Sequence, residues 1–480
     1  MRVPEKRYRD EWLPNLYPGR AFEGDWLRVS RSGKTLFLSE EENRQLDEVA
    51  MDAGLFERLE RLGHIVTAAN TARVFKELKT WFHHSFAGPS LHIVVLTKRC
   101  NLNCTYCHMN PVPIQEAGSD MSKTTANEII RFAFESPNPH ITFEFQGGEP
   151  FLNFECMKHF VEEAHRQNTA IGKDLKFTVV TNLMVASDEH LRFCADSHIS
   201  VSYTLNGPAD IHDSYRRTRA GAGSYEAVMR RVRYVQEVFP GLVSSFPLCV
   251  VDSRNAPCLH ELVDFYFQEG FSGLAIVRLK PLGNARRSEL DFSMPDFLAH
   301  YIPSLTYIAE KNRNDPTRVF TERMVPIAIQ KILNETDVGF VDWRNPCGDI
   351  SGAITYDFDG EILPADEARS MRAEFGLGNV TGLAYDSFVR REDSYRTMNL
   401  SLRDRDPACR ECSYNPYCGV MPVLEYARGG SSVPKPHESE ECLFTIALLD
   451  WVFKMVRTDP LTLFRMAGFS FDELRKVLAD

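Results

Sequence analysis

Several features are missing from this chain of 480 residues, and each absence excludes some classes of function. No apolar run approaches the roughly 20 residues that a membrane-crossing helix needs. Residues 1–20 are charged and lack the apolar segment of a signal peptide, so we expect a cytoplasmic protein with no membrane partner. A net charge of −11 argues against nucleic acid as the main partner. Internal repeats are also absent from the sequence.

The composition that is present is typical of a globular protein, with 43% hydrophobic and 25% charged residues. The chain is too long for one ordinary core, so about two to four domains are expected. Twelve cysteines without a secretion signal indicate a reducing compartment. We therefore expect the thiols to bind metal rather than to form disulfides.

Three cysteines, Cys100, Cys104 and Cys107, stand in the spacing C-x-x-x-C-x-x-C directly after an apolar run at residues 92–96. This loop brings three thiolates together. A cubane iron–sulfur cluster normally takes four such ligands, so three leave one iron open to a small molecule. A structural zinc site is the alternative, although zinc takes four protein ligands, usually from paired C-x-x-C knuckles.

Apolar runs alternate with helical patterns from residue 91 to about residue 283. Six strands are predicted, near residues 92–96, 141–145, 176–181, 200–205, 246–251 and 274–278. Helical patterns lie between them, for example at residues 154–166 and 225–238. Repeated strand–helix units predict a parallel sheet with right-handed crossovers. Active sites on such sheets gather at the C-terminal ends of the strands.

Polar motifs follow these predicted strands. After the strand at residues 141–145 comes the segment Gln146, Gly147, Gly148, Glu149 and Pro150. Its glycines let the backbone approach a ligand closely, and its carboxylate is a suitable acceptor for an ammonium group. Further along, Arg216 offers a guanidinium, the natural bidentate partner of a carboxylate.

The cysteine spacing, with an aromatic residue before the third cysteine, and the Gly-Gly-Glu-Pro segment resemble the radical S-adenosylmethionine (SAM) enzymes. The resemblance implies an α/β fold, a partial (β/α)6 barrel. It implies a [4Fe–4S] cluster whose open iron is chelated by SAM, with Glu149 holding the SAM amino group and Arg216 its carboxylate. Asn206 stands where the family commonly has Asp. The SAM-binding residues implied are Tyr106, Gln146, Gly147, Gly148, Glu149, Pro150, Thr181, Asn182, Thr204, Arg216 and Leu248.

The cysteines between residues 347 and 442 resemble the SPASM extension of peptide-modifying radical SAM enzymes. That extension holds two auxiliary clusters, and the ligands of the second are matched by Cys409, Cys412, Cys418 and Cys442. The first cluster has lost two ligands, because Ala365 and Met421 stand at their positions and Cys347 is left as an orphan thiol. The resemblance therefore implies one auxiliary [4Fe–4S] cluster. A four-thiolate zinc site is the alternative.

A separate module is predicted before the barrel. Short strands at residues 26–29 and 35–38 flank a turn, and Ser39 and Glu42 form a capping box that opens a helix. A second helix ends at Gly63. The module resembles winged-helix, PqqD-like elements that bind a precursor's leader as an added strand, with a generic α+β cap as the alternative. We divide the chain into this module (1–87), the barrel (88–285), a helical bridge (286–345), a degenerate SPASM domain (346–445) and a helical tail (446–480).

One carboxylate is a candidate catalytic base. Asp366 matches the residue that in sulfatase maturases takes a proton beside the substrate radical. An ordinary turn aspartate is the alternative. His108, which directly follows Cys107, is expected to be structural, as are His83 and His84.

In overall layout the chain is most similar to the His-Xaa-Ser system radical SAM maturases. The resemblance implies an oxidoreductase that modifies a ribosomally made precursor peptide. A flavodoxin or ferredoxin would supply one electron, and SAM would be cleaved to methionine and a 5′-deoxyadenosyl radical. Hydrogen abstraction from the peptide would then lead to a side-chain crosslink of the cyclophane type. The alternatives are formylglycine formation and a non-catalytic iron–sulfur scaffold that binds a peptide.

Overall fold

The computed structural model describes residues 12–287, 290–333, 339–431, 433 and 435–469. The predicted module and tail extend beyond it at residues 1–11 and 470–480. The strands are β1 (Trp12–Pro14), β2 (Arg20–Phe22), β3 (Asp25–Val29), β4 (Thr35–Ser39), β5 (Ile65–Thr67), β6 (Leu91–Thr97), β7 (His140–Gly147), β8 (Asp174–Thr181), β9 (Ile199–Tyr203), β10 (Leu248–Val251), β11 (Gly273–Arg278), β12 (Thr321–Glu322), β13 (Ala353–Tyr356) and β14 (Ile362–Leu363).

Helices connect and cover these strands, together with several short 3-10 turns. The α-helices are α1 (Glu40–Asp47), α2 (Ala53–Leu62), α3 (Thr71–Trp81), α4 (His84–Ala87), α5 (Lys123–Phe134), α6 (Phe154–Ile171), α7 (Asp188–Asp196), α8 (Ala209–Tyr215), α9 (Tyr225–Val238), α10 (Leu259–Gln268), α11 (Met294–Asn314), α12 (Met324–Leu333), α13 (Arg372–Phe375), α14 (Tyr385–Val389), α15 (Glu392–Leu400), α16 (Pro407–Arg410), α17 (Pro422–Gly429), α18 (Glu440–Thr458) and α19 (Pro460–Met466).

A parallel sheet forms the centre of the molecule. Strands β6 to β9 pair in parallel in chain order, and β10 pairs with β11 in the same sense. A bridge between Thr204 and Leu248 joins the two groups, which gives the partial barrel. All six predicted strands are present. The fifth begins later than expected, at Leu248, because the preceding Pro247 has no N–H to donate to a ladder.

The C-terminal region contributes a strand that the periodicity did not reveal. Strand β13 pairs in parallel with β6, and β14 turns back against β13, so the large sheet has the order β14-β13-β6-β7-β8-β9. The six residues of β6 that follow Leu91 are all buried, as expected for a strand covered on both faces. The strand that precedes the cysteine loop is therefore held on both sides.

The N-terminal module has the predicted elements. Strands β2, β3 and β4 form an antiparallel sheet, and the Ser39–Glu42 capping box begins α1. Gly63 ends α2 in the left-handed conformation, with φ 81°. The module packs on the loop that carries the C-terminal cysteines, where Tyr17 donates a hydrogen bond to Asn415 at 2.9 Å. Within the described ranges, no helix is long and apolar enough to cross a membrane.

Candidate active site

A cavity of about 900 Å³ lies inside the barrel, and most of the predicted site residues line it. They are Cys100, Cys104, Tyr106, Cys107, Gln146, Gly147, Gly148, Thr181, Asn182, Thr204, Arg216, Leu248 and Asp366. Glu149 and Pro150 do not line the cavity and are buried behind it. The volume is at the upper end of the range for small-molecule sites, so it leaves room for two reactants.

The glycine pair is explained by the contact of its loop with the cysteine loop. Gly148 donates its N–H to Thr97 O at 2.8 Å, and Glu149 donates to Arg99 O at 2.8 Å. A Cβ on Gly147 would stand 2.4 Å from Thr97 O, and one on Gly148 would stand 2.3 Å from Arg99 O. Only glycine fits this close approach of two backbones.

Glu149 organises the loop from behind. Its carboxylate accepts hydrogen bonds from Thr181 Oγ1 and Asn182 N, each at 2.8 Å, and from Phe151 N at 3.2 Å. Burial raises its pKa to about 7, although these donors act in the opposite direction. Asn182 in turn donates to Asn101 Oδ1 at 2.8 Å, beside Cys100. In this structure Glu149 positions the pocket wall and does not present its carboxylate to the cavity.

Arg216 and Tyr106 form a hydrogen-bonded pair in the cavity wall. Arg216 Nη1 donates to Tyr106 Oη at 2.9 Å, and Asn206 Nδ2 donates to the same oxygen at 3.1 Å. Arg216 is 6% exposed, and its Nε has no hydrogen-bond partner in the described part of the chain. A buried guanidinium with an unused donor beside a cavity suits an anionic ligand group. Asn206 has become a structural amide that fixes the tyrosine.

The three thiols of the loop share this polar, enclosed setting. Burial raises the pKa of Cys100 to about 12 and that of Cys107 to about 11, and it raises the pKa of Cys104 as well. Free thiols here would stay protonated at neutral pH, so thiolates require a metal cluster to stabilise their charge. A SAM-binding iron–sulfur cluster fits this set of groups. They are the three sulfurs of one loop, the close backbone approach at Gly147 and Gly148 (the glycine cradle) and the unused donor of Arg216.

Asp366 lies in the same cavity and is held by two basic groups. His108 Nε2 lies 3.2 Å from Asp366 Oδ2, and Arg369 Nη1 donates to Oδ1 at 3.3 Å. Burial raises the pKa of Asp366, but the hydrogen bond from His108 and the charge of Arg369 outweigh it, and the net shift is downward. Arg369 also donates to Gln146 Oε1 at 3.2 Å, which connects Asp366 to the glycine loop.

Two of these partners were missed by the sequence analysis. The expectation that His108 is only structural is incomplete, because its ring contacts the candidate base. Its position directly after Cys107 was the available signal, since that position places it on the same loop. For Arg369 the available signal was weaker, since this residue follows Asp366 by three positions on the same helical turn.

The C-terminal cysteines form a second group outside this cavity. Cys409 lies on α16, Cys412 and Cys418 lie in the following loop, and Cys442 lies in the first turn of α18. Burial, together with the charge of neighbouring cysteines, raises the pKa of Cys409 and that of Cys442 to about 12. The four predicted ligands are therefore close in space.

The positions of the missing auxiliary ligands have been filled by apolar packing. Cys347, Ala365 and Met421 belong to one buried hydrophobic cluster, together with Leu363 and Leu424. Cys347 is fully buried, and its Sγ donates to the Asp342 carbonyl at 3.6 Å. The convergence of these three positions fits the expected loss of the first auxiliary cluster.

Neither cysteine group is drawn together as tightly as one metal ion requires. Among the residues that the structure describes, no three His, Cys, Asp or Glu side chains could hold a single ion. Zinc needs its sulfurs at about 2.3 Å from one centre, whereas an iron–sulfur cubane spreads its ligands over several irons.

The fold is that of the radical SAM enzymes. Residues 94–265 match the family model of the Radical SAM superfamily. That range contains the three-cysteine loop and most of the cavity wall.

Curated relatives and solved structures extend the likeness. A cysteine-type anaerobic sulfatase-maturating enzyme of Clostridium novyi (strain NT) is 23% identical over 337 residues, which cover 68% of this chain and 86% of that protein. A PqqA peptide cyclase of Rhodopseudomonas palustris is 28% identical over 187 residues, covering 38% of this chain and 43% of that protein.

Two solved structures share the fold. Native anSMEcpe with bound AdoMet and Cp18Cys peptide has a TM-score of 0.64 at 18% identity and covers 79% of this chain and 99% of that chain. Streptococcus suis SuiB bound to precursor peptide SuiA has a TM-score of 0.54 at 14% identity, covering 90% and 98% respectively. These likenesses confirm the predicted radical SAM fold.

Proposed function

We propose that the protein is a radical SAM peptide maturase that forms a crosslink between side chains of a ribosomally made precursor peptide. The observation that carries the proposal is the single cavity that unites three cluster-binding thiols, a glycine cradle, a buried arginine and an oriented carboxylate. Relatives in sequence and in structure modify or bind peptides, which supports a peptide substrate.

The residues of the chain would divide the work as follows. Cys100, Cys104 and Cys107 would hold the first [4Fe–4S] cluster, and Arg216 would bind the SAM carboxylate. Cys409, Cys412, Cys418 and Cys442 would hold the auxiliary cluster. The bound groups would supply one-electron cleavage of SAM to a 5′-deoxyadenosyl radical and uptake of the surplus electron.

Asp366 would act as the base. Its low pKa keeps it ionised at neutral pH, so it can accept a proton from the peptide next to the carbon that has lost its hydrogen. His108 and Arg369 fix its orientation.

The first experiment measures 5′-deoxyadenosine after anaerobic reconstitution and reduction with dithionite. The reconstituted protein should cleave SAM, and Cys104→Ala should abolish the product. Cys258→Ala is the control, because this half-buried thiol lies outside both groups. A protein that binds iron but never cleaves SAM would be a scaffold, and the proposal would be wrong.

The second experiment identifies the bond formed. Candidate precursor peptides, taken from small reading frames next to the gene, would be co-expressed with the protein and analysed by mass spectrometry. A crosslink removes two hydrogens and leaves no carbonyl, whereas formylglycine reacts with hydrazides. A hydrazide-reactive product would replace crosslinking with formylglycine formation. The proposal also includes binding of the precursor's leader by the N-terminal module and electron transfer from a flavodoxin or ferredoxin. Both can be tested with the protein and its co-expressed precursor.

A further inference from the structure

Two aspartates that the proposed mechanism does not use lie at one side of the cavity. Asp342 lies in the turn Val341–Trp343, and Asp349 lies just before β13. Both line the cavity wall. Asp349 is 3% exposed, and its Oδ2 has no hydrogen-bond partner among the described residues. A buried carboxylate oxygen without a donor is costly unless a ligand supplies one.

Most of the neighbouring cations are already engaged with other acids. Lys280 pairs with Glu367, and Arg369 is committed to Asp366. Arg278 also lines the cavity and pairs with Asp291 and Glu440. Arg323 lies over the Phe340 ring at 6.0 Å, and its charge, like that of Lys280, acts to lower the pKa of Asp342.

Glu144 adds another carboxylate to the cavity, held by Gln146 Nε2 at 2.7 Å. The side chains facing this space therefore include more carboxylates than cations. Burial, followed by the charge of Glu367, raises the pKa of both Asp342 and Asp349. A cation placed between these two groups would relieve that unfavourable charge.

The adjoining wall is apolar. Ala365 and Met421, the residues that replace two auxiliary-cluster ligands, line the cavity next to the acidic pair. An apolar surface that ends at two carboxylates suits a side chain with an aliphatic stem and a charged tip. A metal ion fits less well, because no three ligating side chains within the described ranges could hold one.

The geometry points to a subsite in which Asp342 and Asp349 bind the cationic side chain of a lysine or arginine in the substrate peptide, with its stem on Ala365 and Met421. The inference rests on the proposed function, since it names the chemistry of one substrate residue. Loss of the first auxiliary cluster would then have created space for substrate recognition.

The test uses the reconstituted holoenzyme with SAM and two probes, N-acetyl-arginine amide and N-acetyl-citrulline amide. The two have nearly the same shape, but only the first is charged. Isothermal titration calorimetry should show at least about tenfold tighter binding of the arginine probe. Asp342→Asn and Asp349→Asn should each reduce this preference towards equality.

Asp386→Asn serves as the matched control. This aspartate is exposed, pairs with Arg390 on the surface and is not among the residues that line the cavity, so the preference should be unchanged. If Asp349→Asn does not fold, Asp342→Asn alone decides the question, because its side chain is only half-buried. Equal binding of the two probes, or a preference that survives both substitutions, would overturn the inference.

The same samples are assayed for 5′-deoxyadenosine, so that the two proposals can fail separately. Normal SAM cleavage without a charge preference refutes the subsite alone. A charge preference without SAM cleavage supports the subsite and refutes the proposed radical chemistry.

Discussion

Replacing Gly148 with alanine should disconnect the glycine loop from the cysteine loop. The added Cβ would lie 2.3 Å from Arg99 O and 2.7 Å from Lys98 O. Both obstacles are backbone atoms of the segment that leads into Cys100, so no side chain can rotate away. To reach the 3.0 Å limit of real Cβ contacts, the two loops must separate by about 0.7 Å.

Such overpacking costs about 1–3 kcal/mol when neighbours can yield, and a rigid backbone contact belongs at the upper end. The separation also weakens the hydrogen bond from Gly148 N to Thr97 O, which is 2.8 Å long. Because the loop forms one wall of the SAM pocket, we expect SAM affinity to fall by about tenfold to a hundredfold, or about 1.4–2.8 kcal/mol.

The assays are urea denaturation, iron content and equilibrium dialysis with SAM. Gly429→Ala is the control, because Gly429 ends α17 and a Cβ there has no neighbour within 4 Å. It should change stability by less than about 0.5 kcal/mol and leave SAM binding intact. If Gly148→Ala behaved like this control in all three assays, the steric argument for the glycine pair would be refuted.

Three further outcomes are expected. Arg216→Lys should weaken SAM binding at least about tenfold, because an ammonium cannot reproduce the planar fork, and an unchanged affinity would contradict the assigned contact. Cys412→Ala should lower the iron content from about eight to about four per chain while SAM cleavage persists, whereas loss of one zinc would contradict the auxiliary cluster. His108→Gln should remove the interaction that lowers the pKa of Asp366, so the acidic limb of the pH–rate profile of peptide modification should move to higher pH. An unmoved limb would separate Asp366 from the rate-limiting proton transfer.

Local patterns in the sequence predicted the barrel and most of its cavity wall. The strands before Cys100 and Gln146 are apolar runs bounded by turn residues, and their motifs follow at the C-terminal ends where a parallel sheet brings them together. The capping box at Ser39 is equally local, because both partners lie within one helical turn. Each of these features depends on residues close together in the chain.

The features that were missed depend on long-range contacts. Strand β13 has only four residues, and nothing in its composition indicates that it pairs with β6. In the sequence Glu149 is predicted to bind the SAM amino group. In the structure its carboxylate accepts hydrogen bonds from Thr181 and Asn182 at the end of the next strand. Asp349 faces the cavity because of tertiary packing alone. Which buried carboxylate meets a ligand and which meets a backbone N–H is decided by the fold.

The pairing of β13 with β6 also affects how this chain folds during synthesis and where it can be truncated. During synthesis the edge of β6 emerges roughly 250 residues before its partner, so at 5–20 residues per second it stays uncovered for about 12–50 s. An uncovered apolar edge is a template for aggregation. A shortened protein that ends before residue 353 would keep that edge permanently open, even though it contains every predicted cluster and SAM ligand that lines the cavity. The C-terminal region therefore protects the exposed edge of the barrel from aggregation, and we expect the barrel to require this region in the same chain.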